Sequence, residues 1–591
     1  MPKPQNPAMK VKNKKLAWKQ LLSSLKPFRY GFLASFIIAI ISAVLGIFTP
    51  NILGDMTQAA ITSFPNLDWN TIGGFALTAI VLFLISSALN YVQSYIFAII
   101  SSKYAKSLRE KILEKISRLP ISYFDKHQFG DTLSRMSNDV DTLAMTLGHE
   151  ISDITTSFTT LIGITVMMLA ISVQLSLISF AIVPISIFVV GKITSFAQKF
   201  FREQQNILGV LNSTIEEDYS GQLIIKSNSH EALSEKDFMK TNNKLASTAR
   251  KAQILSSLSI PVTHIFTNLG YVATCIVGGY YVIEGRINIG QIQAFIQYVS
   301  RFNRPITEVA STTSTIQSLL AAAERVFEFL NEDEEVPDPI DAKSIKKVSG
   351  AVEFKNICFS YDKKNPIIKN FSASVKPGQQ IAIVGPTGAG KTTLINLLMR
   401  FYDPDSGSIT IDGVDTKEMN RADVRKLFGM VLQDTWLFSG TIAENLRYGN
   451  QKATEDDLKK AAKVSDIHHV IESLGHGYNT VINEDSDNIS AGEKQLLTIA
   501  RAMVANPPMI ILDEATSNVD TRTEQLVQAA FEKLTKGRTS FVIAHRLSTI
   551  RNADLILVLK DGNIIEQGNH DELLKKNGFY AELYNSQFAD N

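Results

Sequence analysis

At 591 residues the chain is too long for one ordinary domain, and a size of about 150 residues per domain points to three or four. A formal net charge of +1 excludes recognition of nucleic acid by bulk electrostatics, and two cysteines, Cys275 and Cys358, exclude a disulfide framework or a cysteine-held metal cluster. Apolar residues make up 45% of the chain but are unevenly spread: residues 30–310 hold several runs of about 20 residues nearly free of charge, whereas residues 331–591 mix charges as a soluble domain does.

Residues 1–30 form a basic leader without a short apolar core and cleavage site, so it reads as a cytoplasmic leader and not a removed signal. Residues 31–330 then hold six candidate spans: Gly31–Thr49 closed by Pro50, Ile72–Ile100, Ile154–Ser172, Leu175–Ile193, Leu258–Ile283 and Ile289–Ala310, the last being the most polar. Residues 51–71 contain no Lys or Arg, whereas residues 101–150 carry eight and residues 192–257 carry nine. That bias marks the leader and both long loops as cytoplasmic, and an even number of spans puts the C-terminus there too. Polar residues inside spans are costly, so Asn90, Gln93, His264, Asn268, Gln293, Gln297 and Arg301 are candidates to line a translocation path; hydrogen bonding between helices is the alternative for each. No acidic residue is expected in mid-span.

An acidic, Pro-containing stretch near Asn331–Ser344 marks a linker over residues 331–350, and a second domain is expected over 351–591. Its centre is Ile381–Leu394, IAIVGPTGAGKTTL. Ile381 to Val384 reads as a buried strand and Thr392 to Phe401 as a helix, with Gly385, Gly390, Lys391 and Thr392 fitting GxxxxGK[ST] between them. The backbone over Gly385, Pro386, Thr387, Gly388, Ala389, Gly390, Lys391, Thr392 and Thr393 can wrap a triphosphate, every residue but Pro386 offering an N–H. Lys391 supplies charge to the β/γ-phosphates and Thr392 a hydroxyl to Mg²⁺. Met509–Glu514 is an apolar strand ending in two acids, with Asp513 placed to hold Mg²⁺ through water and Glu514 to act as general base.

Other segments resemble ABC exporters. Leu108–Leu143, with its LPISYFD turn and NDVD, and Glu217–Lys226 resemble the two intracellular loops of that family, and Gly290–Ile306 resembles its sixth span. The resemblance implies short coupling helices near Ser122–Gln128 and Gln222–Asn228. It further implies that Tyr361 stacks on adenine, that Gln433 reaches Mg²⁺ and the attacking water, and that His545 contacts the γ-phosphate. Ser517 and Asp520 would belong to the D-loop. Ser490, Ala491, Gly492 and Glu493 occupy the place of the signature, which acts on a partner's ATP; Ser490 and Gly492 match the usual LSGGQ, while Ala491 and Glu493 depart from it. The implied fold is a six-helix, all-α transmembrane domain with long cytoplasmic extensions, followed by an α/β P-loop ATPase.

With one phosphate loop and six spans, the chain resembles a half-transporter that needs a second half, and its altered signature resembles the catalytically competent half of heterodimeric bacterial multidrug exporters. The implied function is ATP- and Mg²⁺-dependent export of hydrophobic or amphipathic compounds across the plasma membrane, with a lipid bilayer and no nucleic acid as partner. The alternatives are a dedicated peptide exporter, weakened by the lack of an N-terminal peptidase-like domain, a homodimeric lipid flippase, and a non-transporting ATPase or gated channel.

Overall fold

A computed structural model describes residues 13–432, 435–483, 488–513, 521–544 and 547–588. The chain divides into two compact units, residues 1–118 with 128–333, and residues 119–127 with 334–591.

The first unit is helical. Its elements are α1 (Lys14–Ser24), α2 (Arg29–Thr62), α3 (Trp69–Arg118), α5 (Phe129–Ile171), α6 (Val173–Ser220), α7 (Gln222–Ser227), α8 (Glu231–Ile283) and α9 (Ile289–Leu330); α4 (Ile121–Lys126) belongs to the second unit. Among the described residues five helices are long and apolar enough to cross a membrane: those containing α2, α3, α5, α6 and α8. The sixth expected span lies in α9, a 42-residue helix of more polar composition. At 1.5 Å per residue the 50 residues of α3 extend about 75 Å, far beyond a hydrocarbon core of about 30 Å. Pro50 does not close the first span as expected: it lies buried inside α2, and donors from α9 reach the carbonyls in the turn before it, the Tyr298 hydroxyl to Ile47 at 2.7 Å and Arg301 Nη1 to Gly46 at 3.5 Å. Ser172 alone joins α5 to α6 and caps the latter, its Oγ accepting from the Leu175 N–H.

Apolar packing of Ile47, Ile164, Met168, Phe295 and Val299 draws α2, α5 and α9 together. Gly54 and Gly290 allow the closest approach, since a Cβ on Gly290 would lie 2.1 Å from the Gly54 carbonyl oxygen. Polar staples follow further along. Asp139 in α5 accepts two bonds from Arg325 in α9, at 2.8 Å from Nε and 2.5 Å from Nη2, and Asp141 pairs with Arg109 of α3 at 2.5 Å. Glu308, two residues from the end of the expected sixth span, accepts from Ser157 Oγ.

The second unit is α/β. Strands β1 (Val352–Phe359), β2 (Ile368–Val375), β4 (Ser406–Ile411) and β5 (Val414–Asp415) form an antiparallel sheet in the order β2-β1-β4-β5. A larger sheet runs β12-β11-β3-β10-β9-β6, built from β3 (Gln380–Val384), β6 (Phe428–Val431), β9 (Met509–Asp513), β10 (Thr539–Ile543), β11 (Leu555–Lys560) and β12 (Asn563–Gly568); β7 (Gly440–Thr441) pairs with β8 (Val481–Ile482) elsewhere. All neighbours in the larger sheet are parallel except β11 and the edge strand β12. Both of its faces are covered. Ile381, Ile383, Ile511 and Phe541 pack with the antiparallel sheet, whereas Ala382, Val384, Ile510, Leu512 and Val542 enter cores on the other side. Two-sided burial explains why these strands read as continuous apolar runs and not as alternating ones.

The acidic linker docks on this unit through arginines: Arg421 Nη1 lies 3.0 Å from Asp338, and Arg421 Nε lies 3.3 Å from Glu335. Asp412 receives the N–H groups of Ser349, Gly350 and Ala351, fixing the entry to β1.

Candidate nucleotide site

The strand order assembles the site. In register, Ile383 of β3 pairs with Ile543 of β10, and Ile543 pairs with Asp513 of β9. Two strand spacings separate β3 from β9, about 10 Å. On the next strand, β6, Val431 pairs with Leu512. The C-terminal ends of four adjacent parallel strands therefore lead into the phosphate loop, the Ala544–His545 segment, the Asp513–Glu514 pair and the Gln433 segment. Crevices outside the carboxyl ends of such strands are where α/β sheets bind ligands. Gln433, Glu514, Ser517, Asp520 and His545 themselves lie outside the described residues.

The loop after β3 has the shape its sequence requires. Gly385 has φ +153°, and a Cβ there would lie 2.2 Å from the Leu559 carbonyl oxygen, so only glycine fits. Gly390, at φ 99°, ends the loop as the N-cap of α10 (Lys391–Leu398), whose first N–H groups face the loop. Lys391 Nζ donates to the carbonyls of Gly385 at 2.8 Å and Pro386 at 3.1 Å, laying the side chain across the loop. Burial lowers its pKa, and the Asp513 charge acts in the opposite direction. Thr392 is exposed, while Thr393 is buried beneath the loop. An ATP-sized triphosphate with its metal fits this donor set: a backbone cradle that admits no Cβ at Gly385, one cation, one exposed hydroxyl and one carboxylate at a strand end.

Tyr361 follows β1 and is 37% exposed. The rings of Phe359 and Tyr402 pack against it, each at a centroid distance of 4.9 Å and nearly perpendicular, and Asn396 Nδ2 in α10 donates to its hydroxyl at 3.2 Å.

Ser490 caps α11 (Ala491–Ala505). Its Oγ accepts from the Glu493 N–H at 3.4 Å while Glu493 Oε2 accepts from the Ser490 N–H at 2.8 Å. This capping box was legible as S-x-x-E before an apolar run, and it gives the Glu493 carboxylate a local partner. Arg501, which motif reading passed over, ties α11 to the segment after Gln433: its guanidinium donates to the carbonyls of Asn445 at 2.9 Å and Trp436 at 3.0 Å.

The two expected loop helices are present as α4 and α7. Of the expected path residues, Gln93 is buried and donates to Ser152 Oγ of α5, the interhelical alternative. Asn90, His264, Asn268 and Arg301 are exposed on the helical unit and Gln293 and Gln297 half-buried; Arg301 Nη1 lies 3.5 Å from the Gly46 carbonyl.

Comparison with known proteins agrees with this geometry. Residues 32–306 match the family model of the ABC transporter transmembrane region and residues 368–517 match that of the ABC transporter. A fatty acid ABC transporter ATP-binding/permease protein of Mycobacterium bovis is 44% identical over 536 residues, covering 90% of this chain and 85% of the relative. This chain belongs to the ABC transporter family. The ABC transporter ATP-binding protein YfiC of Bacillus subtilis is 41% identical over 93% of this chain and 91% of its own length. An ATP-dependent lipid A-core flippase of Syntrophus aciditrophicus is 35% identical over 87% of this chain and 85% of its own length. The chain is thus an ATP-binding, ATP-hydrolysing membrane transporter of exporter type, a half-transporter that works with a second half.

Proposed function

We propose that this ABC half-transporter exports hydrophobic or amphipathic compounds, lipid-like or multidrug, across the plasma membrane by alternating access. The observation that carries the reading is the convergence of the phosphate loop and Asp513 at the carboxyl edge of one sheet, in a chain whose other unit holds membrane-length helices. The proposed roles follow the sequence. The loop from Gly385 to Thr393 and Lys391 bind the triphosphate, and Tyr361 takes the adenine. Thr392, Gln433 and Asp513 hold Mg²⁺, which would neutralise phosphate charge. Glu514 is the general base and His545 supports the γ-phosphate. Six spans with both termini in the cytoplasm complete the proposed topology. Two relatives named for fatty acid and lipid A-core transport support an amphiphilic substrate. Exposed Arg301, about 18 Å along α9 from Ile289, is a cation placed to meet an anionic headgroup in a polar path.

A second half is supported by two uncovered apolar surfaces: Leu223 and Ile224 on α7, 82% and 68% exposed, and Leu432, Trp436 and Phe438 after β6. An unlike partner is favoured over a second copy because of the signature. The capping box accounts for Glu493, which leaves Ala491 as the departure that would weaken the site on the partner's phosphate loop. The test is ATPase turnover of the chain in lipid nanodiscs, alone and with candidate second halves, beside Glu514→Gln, with subunit stoichiometry on the same samples. Loss of turnover by roughly a hundredfold or more with ATP binding retained is expected for Glu514→Gln. Full turnover in that variant would remove the general-base role, and an active dimer of two identical chains would make the transporter homodimeric.

A further inference from the structure

Tyr402 occupies a place that the motifs do not assign. It follows α10 by four residues and is half-buried, with its ring edge-on to Tyr361 and 5.5 Å from the ring of Phe359. Its hydroxyl donates to the Asp125 carboxylate of α4. Burial first, and then the Asp125 carboxylate, push the Tyr402 pKa upward, which keeps the phenol protonated as a donor. Helix α4 is itself stiffened by Tyr123, which stacks on His127 at 4.1 Å and meets Phe124 edge-on. On the other side, Tyr361 is pinned by Phe359, by Tyr402 and by Asn396 of α10, and the residue remains 37% exposed. One side chain thus touches both the aromatic platform and the loop helix.

We propose that Tyr402 is a positioning residue that makes the hold on α4 depend on a nucleobase: a base seated on Tyr361 fixes the Tyr402 ring, and the Tyr402 hydroxyl then holds Asp125. This rests on the reading of Tyr361 as the adenine platform and adds to it a route by which the base, separately from the triphosphate, reaches the loop. The nucleotide thereby acts at two points, its phosphates on α10 and its base on α4.

The test is hydrogen exchange of peptides spanning residues 119–127 in the full chain in nanodiscs, with saturating Mg·ATP or Mg·tripolyphosphate, which lacks the base. ATP is expected to slow exchange there by roughly two- to tenfold more than tripolyphosphate, the size of one hydrogen bond. Tyr402→Phe, which keeps the ring and removes the donor, should abolish that difference; Asp125→Ala should do the same, and the double variant should lose nothing further. Equal protection by the two anions in the unmodified chain, or an ATP-specific difference that survives Tyr402→Phe, overturns the proposal. Tyr361→Leu separates the two readings. If it leaves the ratio of ATP to tripolyphosphate affinity unchanged, the adenine platform is wrong; if it lowers the ratio while Tyr402→Phe changes nothing at residues 119–127, only the link through Tyr402 is wrong.

Discussion

Ser490 and Glu493 satisfy each other's backbone donors at the start of α11, so the carboxylate is held by its own helix. A glutamine at that position could accept the same bond, whereas an alanine could not. Glu493→Ala is therefore expected to cost about 1 kcal/mol and to lower the melting midpoint of a domain of this size by about 2–4 °C, with Glu493→Gln close to unchanged. Scanning fluorimetry of the purified chain checks this, and equal midpoints for the two variants would deny the cap its weight. Ala491 has no such local account, and its replacement by glycine is the change expected to alter turnover at the partner's site.

Asp139 shows the same economy between elements. The NDVD run that resembles an exporter loop proves to be a set of staples, Asp139 to Arg325 across α5 and α9, and Asp141 to Arg109 across α5 and α3. The Asp139 side chain is 7% exposed and that of Arg325 39%, so removing the carboxylate strands a charge that is only partly wet. Asp139→Ala should cost on the order of 2 kcal/mol, less than the roughly 3–5 kcal/mol of a fully buried pair. A thermal midpoint of the detergent-solubilised chain that does not fall would assign the pair to the weak surface class.

For the whole molecule, the question is what covers α7. It buries none of its residues in this chain, yet presents Leu223 and Ile224 side by side. Charge placed there should spare the fold and damage pairing. Ile224→Asp is expected to leave the melting midpoint in place while raising, by about tenfold or more, the subunit concentration needed for half-maximal ATPase activity. Activity with an unchanged concentration dependence would mean that α7 takes no part in joining the halves.

The sequence by itself determined what is local. Gly385, Gly390 and Lys391 declared the phosphate loop, because a tight anion cradle admits few residue types. The apolar runs declared the membrane-length helices, and the resemblance of the two loops to those of ABC exporters located α4 and α7 to within two residues. The tertiary structure decided what depends on distant partners. The order β3-β10-β9-β6 brings Asp513 beside the loop through crossovers of many residues, which no local pattern encodes. Pro50 continues a helix because of its neighbours, and Gly54 proves to be the seat of Gly290. Tyr402 finds Asp125 across 277 residues, a contact that can be read only once both segments have folded onto the same unit.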